Sequence, residues 1–217
     1  MSVDERRRQK KLMKKRKKDQ LRKKKRAESV FFGVVSEKKR ILAARGLPLY
    51  ECLINPSWRD QGLANILITR RQPDGNILFG VYLVDVFCLG LKNTFCNTDF
   101  PVWKYEADVR DKLYREEEPI ECPVSLAYHI IYGAIEFAGR FGFKPNRDFK
   151  LSQYILEPLE SLEPCEGVEF GKDGKPFYIA GPADNVRHVM RQLESAAGHE
   201  NSGFLYSPSE FEPFTDD

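Results

Sequence analysis

Leu63-Ala64-Asn65-Ile66-Leu67-Ile68-Thr69-Arg70-Arg71 leads through Gln72-Pro73-Asp74-Gly75-Asn76 into Ile77-Leu78-Phe79-Gly80-Val81-Tyr82-Leu83-Val84-Asp85-Val86-Phe87-Cys88-Leu89. Two apolar runs rich in β-branched residues flank a turn whose proline presets φ and whose glycine accepts a positive φ. The stretch predicts a hairpin of strands 63–71 and 77–89. Side chains alternate faces along a strand, and the second run is apolar on both. It is therefore expected in the middle of a sheet, covered on both sides.

Outward from this hairpin, residues 49–54 predict an earlier strand. Ser36 can cap a short helix that ends at Gly46, with Pro48 just beyond. Downstream, residues 108–118 predict a charged helix stopped by Pro119. Residues 123–143 predict the longest helix, with Ala127, Ile130, Ile131, Ala134, Ala138 and Phe141 on one side. Asp148 can cap a further turn, which Pro158 stops. Residues 168–170 and 177–179 flank Lys172-Asp173-Gly174-Lys175, a second hairpin signal. Asp184 is placed to cap a last helix carrying Val186, Val189, Met190 and Leu193, closed by Gly198. The order β-β-β-α-α-α-β-β-α has hairpins and no alternating βα crossovers. It predicts an α+β fold: a mainly antiparallel sheet built from hairpins and packed by helices.

Charge is distributed unevenly. Residues 1–26 hold fifteen Lys and Arg against three acids, about +12, while the whole chain of 217 residues carries +3, leaving −9 for the remainder. The cations are Arg6, Arg7, Arg8, Lys10, Lys11, Lys14, Lys15, Arg16, Lys17, Lys18, Arg22, Lys23, Lys24, Lys25 and Arg26. Such a run binds phosphate backbones through counterion release, with little sequence preference. It has no apolar stripe for a membrane surface, and its like charges four apart repel. A helical or disordered polycationic arm over 1–28 is expected, then a single α+β domain over 29–200 and an acidic-aromatic tail over 201–217. RNA is the first candidate partner for the arm, with DNA or another polyanion also open.

No apolar stretch reaches the roughly 20 residues of a spanning helix, and no signal peptide is visible. Five cysteines, at 52, 88, 96, 122 and 165, form no C-x-x-C pair. They are expected to be reduced and metal-free in a cytoplasmic protein, and no cofactor is indicated.

Within the body, Asp85 is the foremost candidate for a site, because its strand face is otherwise apolar. A buried carboxylate costs several kcal/mol unless bonded or paired. It is expected to be buried with defined partners. These could be turn amides or a cation, or it could act with Glu51, Glu136 or Asp173 in a metal-dependent phosphodiester hydrolase. His129, Gly133, Glu136 and Arg140 form the polar stripe of the long helix. His129 has Tyr132 and Gly133 where an acid ligand would be needed, and Gly133 permits a close approach. Cys88 with His129 would make a nucleophile and base, against the commoner reading of a buried thiol. Lys172 and Lys175 could hold a phosphate, but their turn leads into a strand rather than a helix N-terminus.

Three stretches carry a resemblance: Leu83-Val84-Asp85-Val86-Phe87-Cys88-Leu89-Gly90-Leu91-Lys92, Tyr128-His129-Ile130-Ile131-Tyr132-Gly133-Ala134-Ile135-Glu136-Phe137-Ala138 with Gly142-Phe143-Lys144-Pro145-Asn146-Arg147-Asp148-Phe149, and Glu169-Phe170-Gly171-Lys172-Asp173-Gly174-Lys175-Pro176-Phe177-Tyr178 with Gly181-Pro182. Over roughly residues 48–195 they resemble a bacterial protein family without an assigned function. A histidine is common there where this chain has Asn146. The resemblance implies no activity, cofactor or substrate, and it favours a bacterial cytosolic origin. The sequence thus predicts a binding protein anchored by its arm to RNA or another polyanion. The alternatives are the hydrolase centred on Asp85 and an interaction adaptor using the tail.

Overall fold

The computed structural model describes Lys15 and residues 37–158, 167–182, 184–197 and 203–205. The chain divides into two compact units, 1–40 and 41–217. In the first unit the described residues, Lys15 and 37–40, are helical. The rest of the arm, the Ser36 cap, Cys165, Gly198 and most of the tail lie outside the described residues.

The second unit is built on a five-stranded antiparallel sheet. Its strands are β1 (Leu49–Ile54), β2 (Leu63–Arg71), β3 (Ile77–Asp85), β4 (Gly90–Phe100) and β5 (Ile120–Glu121), in the order β4-β3-β2-β1-β5. This is the α+β architecture expected from the hairpins. The first hairpin forms as expected, with Arg71 opposite Ile77 and Leu63 opposite Asp85. Both sheet faces are covered, as the two-sided apolar pattern of β3 requires. On one face, Ile66, Ile68, Leu78, Tyr82 and Val84 pack against Ala127, Tyr128, Ile130, Ile131 and Ala134 of α3 (Val124–Arg140). On the other, Leu53, Leu67, Phe79 and Val81 meet Tyr105, Val109 and Tyr114. Tyr105 and Val109 come from α2, a helical run made of Val102–Tyr105, one π turn at Glu106–Arg110, and Asp111–Leu113. A short helix, α1 (Trp58–Gln61), joins β1 to β2.

Several elements differ from expectation. The run from Ile77 does not continue to Leu89: β3 ends at Asp85, and a turn leads into β4, which the sequence did not announce. As an edge strand β4 is half-wet. Lys92, Asn93, Asn97 and Asp99 interrupt its apolar pattern, and Phe95 stays about half exposed. The charged helix begins at Val102 rather than at 108, and its last residue is Leu113. The two-residue β5 is too short to leave a pattern.

Asp148 makes no side-chain cap on α4 (Phe149–Ser152); Asn146 Oδ1 instead accepts from the Asp148 N–H at 2.9 Å. Ser152 then ties α4 to the sheet, its carbonyl accepting from Tyr82 Oη and its hydroxyl from Thr94 Oγ1, both at 2.9 Å.

The second hairpin is only a turn. Lys172 and Lys175 exchange backbone hydrogen bonds at 2.9 and 3.0 Å, and Asp173 and Gly174 both take positive φ. That is the two-residue primed turn expected of a hairpin tip. Residues 168–170 form no strand, however, and β6 (Phe177–Ile179) pairs in parallel with β7 (Gly203–Leu205), inside the stretch read as a tail. The last helix, α5 (Val186–Ala197), is capped by Asn185, whose Oδ1 accepts from His188 N at 3.1 Å. Asp184 is engaged elsewhere.

Candidate functional site

Asp85 is buried at 7% exposure, as its place on an apolar strand face required. It closes the β3–β4 turn. Its Oδ1 accepts from Phe87 N at 3.0 Å and Cys88 N at 2.9 Å, an Asx turn in which a side chain replaces the next ladder bond. Burial raises its pKa above the ordinary value; the amides of Cys88, Leu89 and Phe87 and the charge of Lys92 act the other way. The cost of burying the carboxylate thus outweighs its hydrogen bonds, and the group is poised to hold a proton unusually well. Of the partners considered from the sequence, turn amides supply the hydrogen bonds of Asp85, and Lys92 acts on it through its charge.

The turn that Asp85 shapes is an anchoring point. Val86 N donates to Gly62 O at 2.9 Å. Gly171 N donates to Val86 O at 2.9 Å, and Phe177 N to Phe87 O at 3.0 Å. The segment carrying the Asp173-Gly174 tip therefore hangs from residues 86–87. Between them lies a cleft of about 420 Å³ bordered by Trp58, Arg59, Phe87, Glu169, Lys172 and Asp173. Arg59 stacks over Trp58 at 4.2 Å and donates to Gly167 O at 2.8 Å. The Lys172 ammonium sits 3.9 Å from the Phe177 ring centroid. Its cations and acids are thus balanced.

Of the other predicted carboxylates, Glu51 and Glu136 are engaged elsewhere, and Asp173 sits on the turn beside residues 86–87. Glu51 pairs across the ladder with Thr69, and Thr69 with Phe79, six residues along β3 from Asp85. At about 3.3 Å per residue that is roughly 20 Å. Glu51 accepts the Tyr105 hydroxyl and lies 3.9 Å from Arg110. Burial, then this hydrogen bond, raises the Tyr105 pKa. Glu136 is exposed on α3 and paired to Arg140 at 2.9 Å. Asp173 occupies the hairpin tip, its N–H donating to Glu169 Oε1 at 3.0 Å. Among the described residues no three His, Cys, Asp or Glu side chains gather where they could hold a metal ion.

His129 packs against Phe170 at 5.9 Å between ring centroids. The close approach read from Gly133 is real, but it comes from a side chain: a Cβ there would lie 2.3 Å from Phe170 Cζ. Cys88 is fully buried with Tyr178, Val189 and Leu193. Burial, reinforced by Asp85, pushes its thiol pKa up, the opposite of an activated nucleophile. Lys172 and Lys175 close a plain turn.

Three polar constellations went unread in the sequence. Arg70, 4% exposed, spreads its guanidinium over Ile155 O, Leu47 O and Arg45 O, the Tyr128 hydroxyl and Glu157. Asp184 Oδ2 accepts from Lys92 Nζ at 2.8 Å, Gly181 N at 3.0 Å and the Tyr178 hydroxyl at 3.2 Å. Cys52 and Cys122 lie in contact, 3.5 Å apart at sulfur. Only Arg70 left a readable signal, a cation continuing the buried face of Ile66 and Ile68.

No protein-family model matches this sequence, and neither a curated protein nor a solved structure does. No helix among the described residues is long and apolar enough to cross a membrane.

Proposed function

We propose that the chain is a binding protein whose N-terminal arm, residues 1–28, contacts RNA or a related polyanion. The observation that carries this reading is the charge division, about +12 in residues 1–26 against −9 in the remainder. A cation run of this density meets a phosphate backbone without needing a shaped pocket, because counterion release supplies the free energy. Three of the body's four candidate carboxylates are taken up by local structure: Asp85 by its turn, Glu51 by Tyr105 and Arg110, Glu136 by Arg140. That arrangement favours binding over a hydrolase centred on Asp85.

The test is fluorescence anisotropy of a generic single-stranded RNA with the full chain and with a chain lacking residues 1–28, titrated across salt. The full chain is expected to bind with an affinity that falls steeply as salt rises. The shortened chain is expected to bind about tenfold or more weakly, with a flattened salt slope. Unchanged affinity after deletion would refute the proposal. Competition with duplex DNA and with an acidic peptide distinguishes the classes of polyanion.

A further inference from the structure

Cys52 lies in β1, and Cys122 follows β5 directly. The β1–β5 register sets Ile54 opposite Ile120 and Leu53 opposite Glu121, so the next pair across the ladder is Cys52 and Cys122. Cys122 N donates to Cys52 O at 3.0 Å, which continues the ladder to this pair. Both side chains turn into the same core, at 5% and 9% exposure, and the sulfurs stand 3.5 Å apart in a thiol–thiol contact. Directly paired antiparallel residues have Cα atoms about 4.5–5.5 Å apart, within the roughly 4.4–6.8 Å that a disulfide spans. Neither strand has to move far for the sulfurs to bond.

The pair is also asymmetric and at an edge. β5 is the last strand of the sheet and is two residues long; Ile120 and Glu121 are exposed, as is Pro123. Cys122 thus lies at the edge of the sheet, whereas Cys52 is on β1, between β2 and β5. The sulfur–sulfur hydrogen bond, together with burial, raises the Cys52 pKa, and the same bond lowers that of Cys122. That bond is shared and either sulfur can be its donor, so it is the edge position that makes Cys122 the first thiol an oxidant meets.

We infer that Cys52 and Cys122 form an oxidisable dithiol site that closes to an intramolecular disulfide when the protein meets a peroxide. The Cys122 thiolate attacks one peroxide oxygen. The O–O bond breaks, hydroxide leaves and is protonated to water, and Cys122 becomes a sulfenic acid. The Cys52 sulfur, giving up its proton, attacks the sulfenic sulfur. The S–O bond breaks and a second water leaves. Two thiols are oxidised by two electrons, and one hydrogen peroxide is reduced to two waters. The new bond staples β5, and with it the 114–121 connection, to β1. A thiol reductant reverses it. This site is independent of the arm and of what the arm binds.

The test is peptide mapping by mass spectrometry, under non-reducing conditions, of the full chain after stoichiometric hydrogen peroxide, with and without later dithiothreitol. A dominant linked peptide joining Cys52 to Cys122, lost on reduction, is expected. Amide exchange across residues 114–121 should slow in the oxidised protein. C88S should leave the linkage intact, and C122S should abolish it without diverting Cys52 to Cys96 or Cys165. Because the wild-type map decides the question alone, a poorly folding C122S does not blunt the test. Oxidation only to sulfinic or sulfonic acids, or disulfides that involve Cys96 or Cys165 in place of this pair, would overturn the inference.

Discussion

Arg70→Ala is expected to destabilise the fold by about 3–5 kcal/mol, the range for removing one partner of a buried charged network. The guanidinium is an internal clamp. Nε donates to Ile155 O at 2.9 Å, Nη1 to Leu47 O at 2.8 Å and Arg45 O at 3.3 Å, and Nη2 to Glu157 Oε1 at 2.7 Å. Those carbonyls belong to chain leaving two short 3-10 turns, Ala44–Gly46 and Gln153–Ile155, where helical hydrogen bonding runs out. Alanine would strand them in the core and leave a cavity the length of the side chain. The Glu157 contribution is small by comparison. Its side chain is 37% exposed, so water screens the pair, and Glu157→Gln should cost within about 1 kcal/mol. Urea unfolding of the two variants separates the effects. A loss below about 1 kcal/mol for Arg70→Ala would show that the carbonyls find other donors.

Asp85→Ala should cost about 2–4 kcal/mol, because it leaves the buried N–H groups of Phe87 and Cys88 without their acceptor. Asp85→Asn keeps that acceptor without the buried charge, and at pH 7 it should be at least as stable as the wild type. The wild type and Asp85→Asn also differ in pH dependence. Burial raises the Asp85 pKa in the folded chain above 3.8. A raised carboxyl pKa means the folded state binds the proton more tightly than the unfolded state does. Its favourable contribution is fully present below about pH 4 and is lost as pH rises through the folded-state pKa. Wild-type stability should therefore fall relative to Asp85→Asn across that window, and the gap should close as pH falls. Denaturant titrations at a series of pH values would read it. A gap that stays constant across the series would remove the protonation argument and leave Asp85 as a neutral-pH turn cap only.

Burial of Asp85 followed from periodicity. Its partners did not. An Asx turn needs only an acid followed by amides able to fold back, and β3 reads as continuous through Val86-Phe87-Cys88. The sequence alone could not tell a longer strand from a strand that its own side chain stops. The same reasoning that singled out Asp85 applied equally to Arg70, a charge at period two with Ile66 and Ile68, but a charge near a strand end also reads as ordinary exposure. Glu51 and Asp173 could be named as acids but not placed. Their separation from Asp85 depends on ladder register and on where a hairpin tip docks.

What the sequence by itself determined is what local chemistry controls. The Pro73-Asp74-Gly75-Asn76 turn set a hairpin. Two-sided apolar alternation set a buried strand, the 3.6-residue apolar stripe of α3 set its packing face, and the charge run set the character of the arm. Tertiary structure alone decided the features that join distant segments. These are the half-wet edge strand β4, the two-residue β5, the parallel β6–β7 pair, the Asp184 network with Lys92, and the Cys52–Cys122 contact. The physical reason is that short-range order follows from backbone preference and periodicity over a few residues. A hydrogen bond or thiol contact across 70 or more positions has no local counterpart, and exists only once the sheet and its helices have brought the partners together.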